Sequence, residues 1–573
     1  MTQWKKYAAQ PFEVWGTAKA VNLPRYSKEV FTMAKSRKSG RHSRQMKILK
    51  LVQKGKCVKS IRKQGKRIFQ DVVNKVVADA LEHPDKYFSN PEKDFTRDRK
   101  MTLPVFVRLM FHCYKESINK MISDSFEKLS VGTDPTRQAF YNARRKVSYL
   151  LFERIFREFA KRMEKFIYDC EKYSTPLFHQ SRKSTGRFKI FAVDGSDFKG
   201  RADPSAVDAY HMRKNGSREY NLYHFNAMYN VMSGIFVDGM VKGKLKDSER
   251  YALLKMVEKM PESLRKEAII LADRGYPSLE VFRQLILSGV YFIMRTVKPD
   301  SNGATINNVN LPENQDSFDV TRTVTIRKHK GEASQVCPDG YPWRILANRD
   351  CANPCNYAQE DMTFRIVKVL VEKTAFGESA SDRASDQQFI EQQEQGDDEN
   401  VKQTNKGKKK AQQSKDEDSY VEVYLVTNIP DDVLPEQEIA DLYTMRWRIE
   451  TAFGQLKQHL NGEKFFAVKH ERIYQELWAK LTLFNYIKGT GSFFEMEKAR
   501  IYQQKVNFLS LKDACLNLLW KGDAYKKFEY DACRDPVKIR PGRHEERKMG
   551  NNNSKPKGPK VVPNQEKTLE KAA

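Results

Sequence analysis

Four polar residues in the C-terminal third of the chain have the spacing Y-x2-R-x3-E-x6-K: Tyr443, Arg446, Glu450 and Lys457. The surrounding segment, 434–461, predicts one long helix, on which these side chains fall within roughly 60° of one another. Such a stripe would place one acid and three phosphate-binding groups at the rim of a core. The alternative is an ordinary solvated face with charges paired at (i, i+4) spacing.

Two aspartates precede that stripe, in the runs FAVDGSDF and LADRGYPS. Asp194 and Asp273 each follow a predicted strand, and open α/β sheets place their functional groups at the carboxyl ends of strands. An Asp in a turn before Gly is the structural alternative for both. Asp197 and Asp238 compete with Asp194, although we expect Asp197 to lie past the end of the strand.

Together the three segments resemble the DDE transposases of the insertion-sequence 4 family, over roughly residues 95–500. The family signature is an Asp in a DG motif, an Asp in an ADRGY-like strand end, and the Tyr-Arg-Glu-Lys helix. The resemblance implies cut-and-paste transposition of double-stranded DNA at terminal inverted repeats. It also implies a DNA hairpin intermediate and a dimer in the synaptic complex.

The resemblance assigns catalysis and metal binding to three carboxylates: Asp194, Asp273 and Glu450. In-line displacement at phosphorus suits two divalent ions about 3.5–4 Å apart. Asp194 would bridge them while Asp273 and Glu450 each hold one. Mg²⁺ is favoured because it retains waters and accepts phosphate oxygens, and Mn²⁺ is expected to substitute.

The remaining signature residues are expected to grip the DNA end. Arg446 would do so by a bidentate fork, Lys457 as a point charge and Tyr443 through its hydroxyl. A terminal base displaced from the duplex would stack on an aromatic side chain, for which Trp343 is the candidate. A buried core tryptophan is the alternative for Trp343.

Composition points to a polyanionic partner. The formal net charge is +29 and the pI is about 9.5, which favours nucleic acid. No apolar run approaches the ~20 residues of a membrane span. Eight cysteines are scattered along the chain, and no secretory signal is recognisable. We therefore expect a reducing cytoplasmic setting, associated with the nucleoid, and no membrane.

The N-terminal part is predicted to bind DNA. Residues 1–67 form a basic flexible arm, for which a merely solubilising tail is the alternative. Residues 68–180 have helical apolar spacing and predict a helical DNA-binding domain. A helix beginning after Asp134-Pro135-Thr136 carries three candidate DNA contacts: Arg137, Arg144 and Arg145. It could be a recognition helix, or equally a core helix with a basic outer face.

The rest of the chain predicts an α/β fold. Antiparallel strands come first, with 223–230 and 235–241 predicted as a hairpin. Parallel strands follow, as in the ribonuclease-H-like core that the resemblance implies. The predicted segments are a first part of the core (181–298), a β-rich insertion (299–375), a disordered polar segment (376–418), a second part with the signature helix and C-terminal helices (419–533), and a basic disordered tail (534–573).

Two rival functions stay open. One is a non-catalytic DNA-binding protein derived from a transposase, which the loss of a carboxylate would favour. The other is a two-metal nuclease without strand transfer, which should lack the Tyr-Arg-Lys stripe. All of these residues are present in the chain.

Overall fold

The computed structural model divides into two compact units. Unit 1 comprises Met1–Pro261, Trp447–Pro541 and Gly550–Ala573, and unit 2 comprises Glu262–Arg446 and Gly542–Met549. The structure describes residues 56–97, 99–115, 117–126, 135–174, 188–206, 209–213, 219–241, 248–299, 301, 304–307, 309–345, 358–372, 420–502, 504–521, 527–534, 537–538 and 560–561. The predictions for most of the basic arm, for 376–418 and for most of the C-terminal tail lie outside these residues.

The first helix of unit 1 begins at Lys56, so the expectation that the flexible arm reaches residue 67 is wrong. Residues 68–174 are largely helical where the structure describes them, as the apolar spacing predicts, and unit 1 begins with five helices. They are α1 (Lys56–Glu82), α2 (Leu103–Met110), α3 (Ile118–Phe126), α4 (Arg137–Lys146) and α5 (Leu150–Ser174). The expected start of α4 is confirmed, because the side chain of Thr136 accepts a hydrogen bond from the Ala139 amide at 3.2 Å. Such a cap satisfies one of the amides that a helix N-terminus leaves unpaired.

The strands of unit 1 form an antiparallel ladder. They are β1 (Lys189–Arg201), β2 (Tyr210–Arg213), β3 (Tyr220–Asn230) and β4 (Ile235–Val241), and helix α6 (Ser248–Glu258) follows them. The predicted β3–β4 hairpin is confirmed, and β3 pairs with β1 on its other side. That pairing runs without interruption from Phe191 to Arg201. Asp194 and Asp197 therefore lie inside β1, and the expectation that the strand ends near Asp194 is wrong.

Unit 2 contains the predicted parallel pair and the β-rich segment. Its elements are α7 (Glu262–Arg265), β5 (Ala268–Ala272), α8 (Leu279–Leu287), β6 (Tyr291–Thr296), β7 (Phe318–Lys328), β8 (Trp343–Ile345), β9 (Gln359–Glu372), β10 (Tyr420–Thr427) and α9 (Glu436–Thr444). Strands β5 and β6 are parallel. The order continues β6-β10-β9-β7-β8 with antiparallel pairing. The β-rich segment thus extends the sheet of unit 2.

The predicted single helix over 434–461 is wrong, because the chain breaks it in two. Helix α9 ends at Thr444, and α10 (Trp447–His459) begins three residues later. The amides of Met445 and Arg446 bond to carbonyls three residues back, each at 3.0 Å. Such (i, i−3) bonds tighten a last turn and end the α-helical register. The common stripe was calculated for one continuous helix, and that premise does not hold.

Three more helices complete unit 1: α11 (His470–Tyr502), α12 (Phe508–Lys521) and α13 (Phe528–Ala532). Three two-residue strands accompany them: β11 (Gln504–Lys505) pairs with β12 (Val537–Lys538), and β13 (Lys560–Val561) pairs with β2.

The long helix α11 lies at the centre of unit 1. Nearly all of its side chains from Ile473 to Thr490 are buried, and it packs against α1, α5 and β4. The side-chain oxygen of Asn485 accepts a hydrogen bond from the backbone amide of Phe236 at 2.9 Å, and its side-chain nitrogen donates to the Phe236 carbonyl at 2.7 Å. In the described ranges, neither α11 nor another helix combines the length and apolarity needed to cross a membrane.

Buried charges connect α11 to the N-terminal helices. Arg144 is 1% exposed, and it donates to Glu476 at 2.5 Å and to Gln475 at 3.1 Å. Glu476 also accepts from the amides of Phe466 and Ala467 at 3.1 and 3.2 Å. The expectation that Arg144 contacts DNA is wrong, because its guanidinium is used inside the protein. This burial supports the core-helix interpretation of α4, on which Arg137 and Arg145 are exposed.

Replacing Arg144 by Ala should lower the free energy of unfolding by about 3–5 kcal/mol, because it removes the closest cationic partner of a buried carboxylate. Arg145→Ala is the matched control, since this neighbour on α4 is exposed, and its effect should stay within about 0.5 kcal/mol. Urea unfolding followed by circular dichroism measures both. An Arg144→Ala protein as stable as Arg145→Ala would contradict the role of the buried pair.

Candidate active site

Strand β1 presents two different faces around Asp194. Successive side chains alternate across a strand, so Asp194 and Phe198 share one face while Gly195 and Asp197 share the other. Asp194 is half-buried, and its Oδ1 accepts a hydrogen bond from the Gly195 amide at 2.9 Å. Functional groups can therefore gather around Asp194 on one side of the sheet only.

Helix α10 packs on the face of β1 that carries Asp194. The rings of Phe198 and Phe225 are 6.3 Å apart, and Phe225 lies 6.4 Å from Phe453 of α10. Near the C-terminus of α10, the Lys457 Nζ lies 5.1 Å from the centre of the Phe198 ring. The aromatic side chains thus fix which side of the sheet the helix covers.

Two anchors also define the direction of α10. Close to its N-terminus, Arg448 donates to the Val231 carbonyl at 2.9 Å, and the Val231 amide bonds to Ile190 at the start of β1 at 3.1 Å. Close to the other end, Lys457 lies over Phe198. The helix therefore runs along β1 in the same direction as the strand.

These anchors bracket Glu450 and Asp194. Glu450 lies between Arg448 and Lys457 on α10, and Asp194 lies between Ile190 and Phe198 on β1. Glu450 is seven residues before Lys457, which places both on nearly the same side of the helix. The geometry of unit 1 thus brings Asp194, Glu450 and Lys457 to one face. Lys457 also forms an ion pair with Glu463 at 3.4 Å.

In unit 2, Asp273 directly follows β5, as predicted. Its Oδ1 accepts from the Gly275 amide at 2.9 Å, and its carbonyl accepts from the Tyr276 amide at 3.2 Å. Ser278 then caps α8 through the Val281 amide at 3.2 Å. The run LADRGYPS thus forms a strand end, a tight turn and a helix start.

Tyr443 and Arg446 lie near Asp273 within unit 2. Tyr443 is 2% exposed, and the Arg446 guanidinium lies 6.0 Å from its ring centre. Burial raises the pKa of Tyr443 to about 12; the charges of Arg446 and Arg295 act against this shift, and that of Asp273 adds to it. The expectation that Tyr443 presents its hydroxyl at an open rim is wrong, because the ring is packed inside unit 2.

Arg295 is a basic neighbour of Asp273 that the signature pattern does not contain. This residue lies near the C-terminal end of β6, one position after the residue paired with Ala272 of β5. Because the carboxyl ends of parallel strands meet at the same edge of a sheet, its position beside Asp273 could have been found. Arg295 and Arg446 together make the surroundings of Asp273 basic.

Both rivals of Asp194 have basic partners inside unit 1. Asp238 forms an ion pair with Arg157 of α5. Asp197 accepts from His224 Nδ1 at 2.8 Å. Their side chains therefore contribute to the packing of the ladder.

His224 lies between two carboxylates on the face of β1 opposite Asp194. Its Nε2 is 3.0 Å from Oε1 of Glu249 on α6. Burial lowers the pKa of His224, but hydrogen bonds and charges from Asp197 and Glu249 outweigh burial and raise the pKa to about 9. The imidazole is therefore protonated at neutral pH. Burial also raises the pKa of Tyr210 on β2, and the charges of Asp197 and Glu249 add to this shift.

Two tryptophans differ in their exposure to solvent. Trp343 is 8% exposed, with Arg283 and Lys328 at 5.0 and 5.8 Å from its ring centre. This burial supports the core alternative for Trp343. Trp447, which was not among the predicted DNA contacts, is 39% exposed at the first position of α10. Its place directly after Arg446 in the signature was the available signal.

The donor chemistry of these residues suits a hard divalent cation. Asp194 and Glu450 are half-buried carboxylates on facing elements of unit 1, and Mg²⁺ prefers such oxygen ligands together with retained water. Within the part of the chain that the structure describes, no group of three or more His, Cys, Asp or Glu side chains is arranged as a metal site. The suitability of this face for a divalent cation therefore depends on the type and placement of the carboxylates of Asp194 and Glu450.

Comparisons with known proteins place the chain in one family. None of the curated proteins matches the chain. Among solved structures, a cryo-EM structure of the piggyBac transposase synaptic complex with hairpin DNA matches with 12% identity, 77% coverage of each chain and a TM-score of 0.32, which is too low to establish a shared fold. The family described as "Transposase DDE domain" matches residues 185–486, which include Asp194, Asp273 and Glu450. The chain therefore belongs to the transposase DDE domain family.

Proposed function

We propose that this transposase cuts and rejoins DNA ends by a two-metal mechanism of the insertion-sequence 4 type. The observation that carries the proposal is the placement of α10 on β1, which puts Glu450 on the same face as Asp194. Both carboxylates would hold metal ions there. Asp273 of unit 2 is the third member of the proposed set on the strength of the family signature. Bound divalent ions, Mg²⁺ or Mn²⁺, would activate the attacking oxygen and stabilise the leaving one.

The signature cations would hold the DNA end. Arg446 suits a terminal phosphate because its planar guanidinium binds two oxygens at once. Lys457 would add a point charge beside Glu450 after exchanging its ion pair with Glu463. Tyr443 supports Arg446 from inside unit 2 through its ring. Trp447 replaces Trp343 as the candidate for stacking a displaced terminal base, because its ring is exposed next to Arg446.

The proposed substrates are terminal inverted repeats and target DNA, processed through a hairpin intermediate by a dimer. Arg137 and Arg145 are proposed phosphate contacts because they are exposed on α4. A cytoplasmic, nucleoid-associated location would follow from this substrate. Strand transfer is what separates this function from that of a plain nuclease.

Each of three substitutions, Asp194→Asn, Asp273→Asn and Glu450→Gln, should lower cleavage by at least about 10³-fold while DNA binding is kept. Each substitution removes the negative charge that would hold metal ions and keeps the shape of the side chain. Labelled terminal-repeat DNA with Mg²⁺ measures cleavage, and a gel-shift assay measures binding. Asp441→Asn, an exposed carboxylate on α9, is the control. Full cleavage by Asp194→Asn would refute its role and redirect attention to Asp197 or Asp238.

Arg446→Ala and Lys457→Ala should impair hairpin formation and joining by roughly ten-fold or more relative to the first nick, because joining needs tighter positioning of the DNA end. Arg446→Lys should also be impaired, since an ammonium group cannot reproduce the bidentate fork. A mini-transposon with labelled ends resolves nicked, hairpin and joined products. Gln458→Ala, exposed beside Lys457, controls for general changes in α10. Equal losses at every step would contradict a specific role in joining.

A further inference from the structure

A tethered histidine lies directly behind the candidate catalytic strand. His224 of β3 is opposite Asp197 of β1 in the antiparallel register, and its two ring nitrogens engage Asp197 at 2.8 Å and Glu249 at 3.0 Å. Because Glu249 lies in the first turn of α6, the ring connects three elements of unit 1. The hydrogen bond at Nδ1 and the ion pair at Nε2 restrict the orientation of the ring.

The ring of His224 occupies the space beside Gly195. A Cβ atom on residue 195 would lie 2.4 Å from His224 Nε2 and 2.4 Å from Glu249 Oε1. Contacts that close do not occur between real atoms, so any side chain at this position would push the histidine, the glutamate or the strand away. Glycine in the DG motif therefore lets His224 and Glu249 approach the backbone of β1, and a larger residue there would have to displace their side chains.

This packing bears on Asp194 because the two residues share a peptide unit. The Gly195 amide donates to the Asp194 carboxylate at 2.9 Å, so the orientation of that amide influences the carboxylate. Asp194 and α10 lie on one face of β1, while Gly195, His224 and Glu249 lie on the other. Support from behind can thus hold the carboxylate in place without touching DNA or metal.

We propose that His224, held between Asp197 and Glu249, is a positioning residue for Asp194, acting through the backbone of Gly195. This inference rests on the proposed function, because it assumes that Asp194 holds metal. The role resembles that of the outer groups which orient metal ligands in other sites, whose loss typically costs about 10–100-fold in metal affinity or activity. His224 itself contacts neither substrate nor metal.

The first test is a double-mutant cycle on cleavage. Gly195→Ala and His224→Ala should each slow single-turnover cleavage by about 10–100-fold. The double variant should be faster than Gly195→Ala alone, because removing the ring takes away one of the two close contacts of the new Cβ and leaves space into which Glu249 can move. Such non-additivity is expected only for residues in contact. Losses that simply multiply would overturn the coupling between His224 and Gly195.

The second test measures metal binding without catalysis. Glu249→Gln and His224→Gln should weaken Mn²⁺ binding to the full chain by about 10–100-fold in isothermal titration calorimetry, with DNA affinity unchanged in gel shifts. A merely structural role would lower the melting temperature and leave the metal affinity of the folded protein unchanged. That result would overturn the proposal, and Glu249→Gln keeps the test valid should His224→Gln fail to fold.

Matched controls exist on neighbouring elements. His211→Gln changes a histidine of β2 that contacts Asn221 at 2.9 Å, away from Gly195. Glu258→Gln changes an exposed glutamate of α6 that pairs with Lys255 at 2.7 Å. Both controls should behave like the wild type. A wild-type protein that cleaves no terminal-repeat DNA with Mg²⁺ or Mn²⁺ would refute the proposed function, whereas active wild type with unaffected Glu249 and His224 variants would refute only the positioning role.

Discussion

The arrangement of unit 1 depends on the interactions of one buried carboxylate, that of Glu476. A charge without access to water must be paired and hydrogen-bonded, and Glu476 obtains its partners from Arg144 of α4 and from two amides after α10. Lys480, one turn further along α11, donates to the carbonyls of Asn461 and Lys464 at 2.8 Å each. These contacts fix the segment that leaves α10 against the central helix.

The position of α10 on β1 follows from that central helix. Trp478 of α11 packs 5.6 Å from Phe225, which in turn contacts Phe453 of α10. Asn485 holds α11 to β4 through both backbone groups of Phe236. The sheet and α10 are thus both tied to α11. The face that carries Asp194 and Glu450 is therefore set by a core far larger than the site.

The two faces of strand β1 have different proposed roles. One face carries Asp194 beside α10, and the other carries the supports from His224 and Glu249.

In unit 2, Arg365 has an anchoring role similar to that of the buried cations in unit 1. It is 2% exposed, binds Asp319 and donates to the Leu434 carbonyl at 2.6 Å, which fixes the turn just before α9. Buried cations at chain turns therefore position candidate site residues in both units.

The sequence by itself determined the local elements and the chemical inventory. The residue pattern predicted the β3–β4 hairpin and the β5–β6 pair, and the run Asp134-Pro135-Thr136 predicted the helix start at Thr136, because these depend on short-range signals. The three carboxylates and the signature cations were recognisable by type and spacing. Tertiary structure decided the rest. From the sequence alone, Arg144 resembles a surface residue. In the folded chain it is buried because Glu476, more than 300 positions away, requires a cationic partner. The length of β1 depended on pairing with β3, and the break after Thr444 ended a helix that periodicity alone would continue. The close packing against Gly195 arises from His224 and Glu249, because only the folded chain brings their side chains against that backbone.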